Sequence, residues 1–317
     1  MHSAPQPLHI PDGFLSVLVS LLFWLLTAAA VGYALRRVGK DLGDRQVPMM
    51  GVLAAAIFAG QMLNFSVAGG TSGHLMGAAI ATILLGPWAA MLVMTCVVSV
   101  QALIFQDGGL LVLGANIFNM GVVGVAVSYM AYRTLQRLAR GARWGLFAGG
   151  FIATWLSIEA SALLVALQLA VSGVSPANVA VPAMGGVHAL IGIGEGLITL
   201  GALAFLYRAR PDLLLAGEER PIKGQFIWAF GLLLAFGLAV ASPLASSNPD
   251  GLEWVAAQAG FLDARRASPF NLIPDYLLPG ISNQALATVL AGVLGMLIVF
   301  AVTLLVAYNR RARRASD

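Results

Sequence analysis

The feature that most restricts this chain is a succession of apolar runs, at residues 14–35, 47–67, 72–85, 87–105, 110–135, 145–171, 182–207, 226–243 and 285–308. A hydrocarbon core about 30 Å thick takes roughly 20 apolar residues in a helix, and all but the third run are of that order. The runs are continuous rather than alternating, which predicts helices and not the strands of a barrel. Only 10% of the 317 residues are charged, against roughly 25% in a soluble domain. The expected class is an all-α polytopic membrane protein.

The third run is too short to cross, and Gly86-Pro87 separates it from the fourth, so a tight or partly re-entrant helix pair is expected there. With that pair counted as two segments and the N-terminus outside, 16 of the 18 Lys and Arg residues fall inside, leaving only Arg265 and Arg266 outside. The expected arrangement thus crosses the membrane many times, with the C-terminus inside. The formal charge of +4 is mostly this bias and calls for no nucleic acid. The tail before the first run has no Lys or Arg and the basic cluster follows it, which fits a retained anchor rather than a cleaved signal. The single cysteine, Cys96, excludes an internal disulfide and a thiolate cluster.

Four segments are expected: an outer tail at 1–13, a core of about seven helices at 14–210, a polar cytoplasmic linker at 211–225 and a two-helix module at 226–317. The outer loop of the last module starts at SSNPDGLEWVAAQAGF and is long enough to hold an ordered insert. Neither lysine, Lys40 nor Lys223, stands in a GxxxxGK[ST] frame, so the chain encodes no P-loop. HExxH and GxSxG are likewise missing, which speaks against an intramembrane hydrolase.

Histidine is scarce: His2, His9, His74 and His188, all placed toward the outer face by the topology above. A free amine followed by a second-position histidine offers amine, backbone nitrogen and imidazole Nδ1 in two fused chelate rings. A fourth nitrogen from His74 would complete a plane, a geometry suited to Ni(II) or Cu(II), with Co(II) accepted by the same donors.

HIPDGFLS at 9–16, VAGGTSGHLMG at 67–77, LGPWAAMLVM at 85–94, GANIFNMG at 114–121 and HALIGIGEGLIT at 188–199 closely resemble the CbiM/NikM family. Its members are the substrate-binding components of energy-coupling factor importers for cobalt and nickel. PDGLE at 249–253, with its two flanking helices, resembles the CbiN/NikN-type module. The resemblance implies a non-enzymatic importer component with Ni(2+) or Co(2+) as transported substrate. It also implies partner subunits: a CbiQ/NikQ-like transmembrane scaffold and CbiO/NikO-like ATPases.

In that family the amino terminus, a second-position histidine and a histidine of the glycine-rich loop hold the metal; the loop residue maps onto His74 and the second-position residue onto His9. Members begin Met-His-Ile, whereas seven residues precede Leu8-His9 here. Two donor sets stay open. Either Leu8 is the initiator, read as Met, or Met1 and His2 supply amine and imidazole with His9 displaced or sharing the site.

Around these ligands, Asp12 in the Pro11-Asp12-Gly13 turn is expected to orient an imidazole or cap the first helix. His188 and Glu195, seven apart on one helix face, are expected to pack or support, and Asn116 and Asn119 to bond the glycine loop. Ala55 and Ala59 form a small-residue ridge expected to meet the scaffold subunit. The rival reading is a secondary transporter or channel for a divalent cation, working without ATPases through Glu159 and Glu195.

Overall fold

The computed structural model describes residues 9–38, 46–214 and 225–316. It is an all-α membrane protein built from α1 (Val17–Val38), α2 (Gln46–Gln61), α3 (Ala78–Leu85), α4 (Pro87–Phe105), α5 (Leu113–Ile117), α6 (Gly124–Ala139), α7 (Arg143–Val171), α8 (Ala177–Ala209), α9 (Gln225–Ala241), α10 (Gly251–Ala259) and α11 (Gln284–Ser316). Six spans among the described residues are long and apolar enough to cross a bilayer. Leu18, Leu21, Leu22 and Leu25 of α1 are all exposed, the surface expected where the solvent is hydrocarbon and apolar contact costs nothing.

Local chemistry sets the breaks. Ser16 starts α1, its Oγ accepting the Val19 N–H at 3.4 Å. The second expected helix ends early, at Gln61, and residues 65–73 form a hairpin, β1 (Phe65–Val67) against β2 (Thr71–Gly73). Gly69 and Gly70, both at positive φ, make its turn. The eight residues of α3 rise only about 12 Å, so this helix enters the bundle without crossing it. Gly86, φ 77°, swings the chain directly into α4 with Pro87 at the first position.

GANIFNMG brings a further irregularity. Between α5 and α6 the turn Phe118–Val123 widens to π-helical geometry, a form found mostly as single turns near functional sites. The Ser161 hydroxyl on α7 donates to the Asn119 carbonyl at 2.8 Å. The same region meets α1 closely. Thr27 Oγ1 donates to the Gly114 carbonyl at 2.6 Å, and a Cβ on Gly114 would lie 2.6 Å from Trp24 Cα.

The helices α6, α7 and α8 pack as successive antiparallel neighbours, and α2 packs against α4, α9 and α11. Ala55 and Ala59 are fully buried. With Gly51 they form one i, i+4 row, and a Cβ on Gly51 would touch Leu304 and Phe300 of α11. The small-residue ridge expected to meet a scaffold subunit is instead an intramolecular seam that lets the last helix lie close on α2.

Replacing Gly114 by Ala forces a methyl against α1 backbone that cannot rotate away. The expected cost is about 2 kcal/mol, read as a lowered thermal midpoint of the detergent-solubilised protein, with Gly32→Ala, where nothing lies within 4 Å, as the neutral control.

Candidate metal-binding site

The tail before α1 is pinned by side chains from the 106–116 segment. Ile10 donates its N–H to Asn116 Oδ1 at 3.1 Å and receives Asn116 Nδ2 on its carbonyl at 3.0 Å. Asn116 therefore clamps the tail, not the glycine loop. Asn119 pairs with Gln168 of α7, amide to amide in both directions at 2.9 and 2.8 Å, and does not bond that loop either.

Asp12 corrects both of its expected roles. Its carboxylate accepts the N–H groups of Leu110, Leu111 and Val112 at 3.0, 2.9 and 3.3 Å. These are backbone donors of the turn that leads into α5, so the tail ties down a turn about 100 residues away. Capping of α1 belongs to Ser16, and the carboxylate on the imidazole is Asp107. Gly109 explains the close approach, since a Cβ there would fall 2.2 Å from Asp12.

His9 is 5% exposed. Its Nδ1 lies 2.9 Å from Asp107 Oδ1; an ionised carboxylate only accepts, so Nδ1 carries a hydrogen, and in the neutral ring Nε2 then keeps the lone pair. Nε2 is buried and bonded to nothing in the described structure. Burial alone would pull this imidazole down, but the charge and hydrogen bond of Asp107 outweigh it and hold the pKa above the ordinary 6.5. The Nδ1 that the expected fused chelate would use thus faces Asp107 in this structure, and the unbonded nitrogen is Nε2.

His74 follows β2 directly, its ring centre 6.0 Å from that of His9 and edge-on to it. Two imidazole nitrogens each about 2 Å from a common ion put their ring centres at this kind of separation. Burial, and then the neighbouring His9, lower the His74 pKa to about 4, so the ring is neutral at pH 7. Glu195 of α8 accepts the Met76 N–H and so holds the loop that carries His74. His188, one helical face with Glu195, donates Nδ1–H to its own helix at Met184 O, 2.8 Å.

The fourth wall comes from the appended module. Ser72 donates its N–H to the Pro249 carbonyl at 2.8 Å and its hydroxyl to Asn248 O at 2.9 Å, and a parallel bridge joins Ser72 to Asp250. PDGLE is thereby joined to the edge of the glycine-loop hairpin through a single bridge. Asp250 caps α10 through Glu253 N–H at 2.6 Å, and burial lifts its carboxyl to about 7. Trp254 completes the seating, its indole N–H donating to Gly69 O at 3.1 Å. A Cβ at Gly251 would lie 3.0 Å from His188 Nε2, so only glycine lets the start of α10 approach α8.

His9, His74, His188, Glu195 and Asp250 share the lining of one cavity of about 100 Å³. Among the described residues no three His, Cys, Asp or Glu side chains converge closely enough to hold an ion unaided. Met1 and His2 lie outside the described residues. Sequence reading missed Asp107, whose signal was the Asp-Gly-Gly turn between two apolar runs. It also took Asp250 only as the mark of a module.

Residues 9–213 match the CbiM family, described as a cobalt uptake substrate-specific transmembrane region, and residues 224–311 match the PDGLE domain. A putative fused nickel transport protein NikMN of Archaeoglobus fulgidus is 39% identical, over 97% of this chain and 100% of that one. The fused nickel transport protein NikMN of Rhodobacter capsulatus is 32% identical, over 93% and 95%. A crystal structure of a transition metal transporter superposes with TM-score 0.57 and 31% identity, covering 70% of this chain and 99% of that one.

Asp12→Ala removes an acceptor that serves three backbone donors. The expected loss is about 2 kcal/mol, with hydrogen exchange accelerated at Leu110 to Val112 and at Ile10 while α7 and α8 keep their protection.

Proposed function

The chain belongs to the CbiM family, continued by a PDGLE domain, and from that membership we propose that it is the substrate-capture component of an importer for nickel or cobalt ions. The ion is the transported substrate. It is received at the end of the bundle that carries the N-terminal tail and held in the cavity between His9 and His74.

The observation that carries this reading is the buried, unbonded Nε2 of His9, in a cavity shared with the neutral His74. A buried polar atom without a partner is costly, and a divalent ion of intermediate softness is the natural partner of imidazole nitrogen. Two imidazoles are too few. The remaining donors on this reading are chain nitrogens ahead of His9, supplied either by a chain that starts at Leu8 or by Met1 and His2.

Nickel is favoured over cobalt because the fused relatives from A. fulgidus and R. capsulatus carry nickel in their names. The chain holds no P-loop lysine, so inward release is driven by ATPase subunits through a transmembrane scaffold subunit, both separate chains. The arginines at the ends of α1, α6, α8 and α11 lie, by connectivity, at the opposite end of the bundle from the cavity. The positive-inside rule then places the cavity outside and the C-terminus inside an inner membrane.

Equilibrium dialysis with Ni(II) and Co(II) tests the capture step. His9→Ala and His74→Ala are each expected to weaken nickel binding beyond the 10- to 100-fold typical of an outer-shell partner, and the double variant to retain none. Stoichiometric nickel on the folded double variant would refute the proposal.

A further inference from the structure

We infer that a buried amide relay, running from Gln101 to Gln61 to the backbone of Met76, aims the imidazole of His74 and thereby sets how strongly the cavity prefers nickel to cobalt. This rests on reading the cavity as the metal site. The two imidazoles there are held in different ways. His9 has a carboxylate beside its ring, that of Asp107. Among the described residues the His74 ring makes one hydrogen bond, with the carbonyl of its own neighbour Leu75 at 3.3 Å, a contact that moves with the loop. The direction of this ring is therefore set by its backbone.

That backbone has no regular structure to hold it. Residues 74–77 lie between β2 and α3 and belong to neither. Met76 is instead gripped on both sides by side chains: Glu195 of α8 accepts its N–H, and Gln61, the last residue of α2, donates from Nε2 to its carbonyl at 2.9 Å. Gln61 is fixed in turn, because its Oε1 accepts from Nε2 of Gln101 on α4 at 2.8 Å. The neighbours pack the same way. A Cβ on Gly60 would lie 3.0 Å from Leu75, and one on Gly77 would lie 2.7 Å from Ile57 of α2, so the segment is pressed onto the helix that ends in Gln61.

Packing alone does not account for the amides. Gln61 and Gln101 are fully buried, where methionine would fill a similar space with no polar group to satisfy. Gln101 Oε1 is bonded to nothing among the described residues, so this side chain carries an unmatched acceptor while placing its N–H on Gln61. Neither glutamine lines the cavity; both are positioning residues. Selectivity follows from geometry. A planar nitrogen set favours Ni(II), whereas Co(II) stands below it in affinity and is less tied to that plane. A His74 ring free to swing out of the plane loses nickel before cobalt.

The test uses the full chain in nanodiscs, with Gln61→Met, Gln101→Met and the double variant. Equilibrium dialysis with each ion gives the ratio of nickel to cobalt affinity. Gln61→Met is expected to weaken nickel binding about tenfold and to lower the ratio about fivefold. Gln101→Met, one bond further from the loop, is expected to act in the same direction, to add nothing in the Gln61→Met background, and to carry the test if Gln61→Met does not fold. A merely structural role would weaken both ions alike, so an unchanged ratio, or additive effects of the two substitutions, overturns the inference. Hydrogen exchange on metal-free protein is the second reading. Exchange at Met76 and Gly77 is expected to quicken in either variant while α7 and α8 keep their protection; unchanged exchange overturns the inference as well. Wild-type protein that binds neither ion would refute the metal reading instead, and the exchange measurement would still decide whether the relay holds the loop.

Discussion

Hydrocarbon offers no hydrogen bonds, and that one constraint organises the whole molecule. A bilayer tolerates irregular backbone only where other protein groups satisfy it. Among the described residues, four irregular segments lie near the site: the tail at 9–16, the hairpin at 65–73, the loop at 106–112 and the segment at 248–250. Each is satisfied by another. Ile10 is held by Asn116 and Gly109, Asp12 holds the turn into α5, and Ser72 holds Pro249. The site is the place where these loops meet, because mutual bonding is the only way such loops persist at depth.

From the same constraint follows the arrangement of charge. A divalent ion needs nearby negative charge, yet a naked carboxylate in the cavity would be expensive without the ion. Asp107 instead faces His9 Nδ1 and Tyr276, and Asp250 is spent on the cap of α10. Both stand close enough to His9 to act on it electrostatically. An ion held, on the proposed reading, by imidazole nitrogen is a borderline-soft metal rather than calcium or magnesium.

How much of this was legible in the sequence depends on how local each signal is. Apolar runs, the Gly86-Pro87 break and the scarce histidines are properties of short stretches, and the helices and the shared cavity of His9, His74 and His188 follow them. Partnerships across the fold left no such trace. Asp12 sits three residues from His9 and reads as its partner, but the partner is Asp107, 98 residues away. The ridge of Ala55 and Ala59 reads as a docking face because small residues signal close packing without naming what packs, and α11 takes that place. The hairpin at 65–73 was hidden inside apolar periodicity, where only Gly69-Gly70 marked a turn.

The position of the last module bears on why it is joined to the first. If α9 and α11 were an accessory, their contacts would stay at the rim. They instead cover α2, and their outer segment supplies Asp250 and Gly251 to the cavity and Tyr276 to the group behind His9. The bridge from Asp250 to Ser72 also restricts the loop that bears His74, so the surroundings of both imidazoles include residues beyond position 245. Fusion keeps those residues at high effective concentration and removes the association cost that a separate subunit would meet. The two modules therefore build one cavity in one chain, and the candidate site is a property of their junction rather than of the larger module alone.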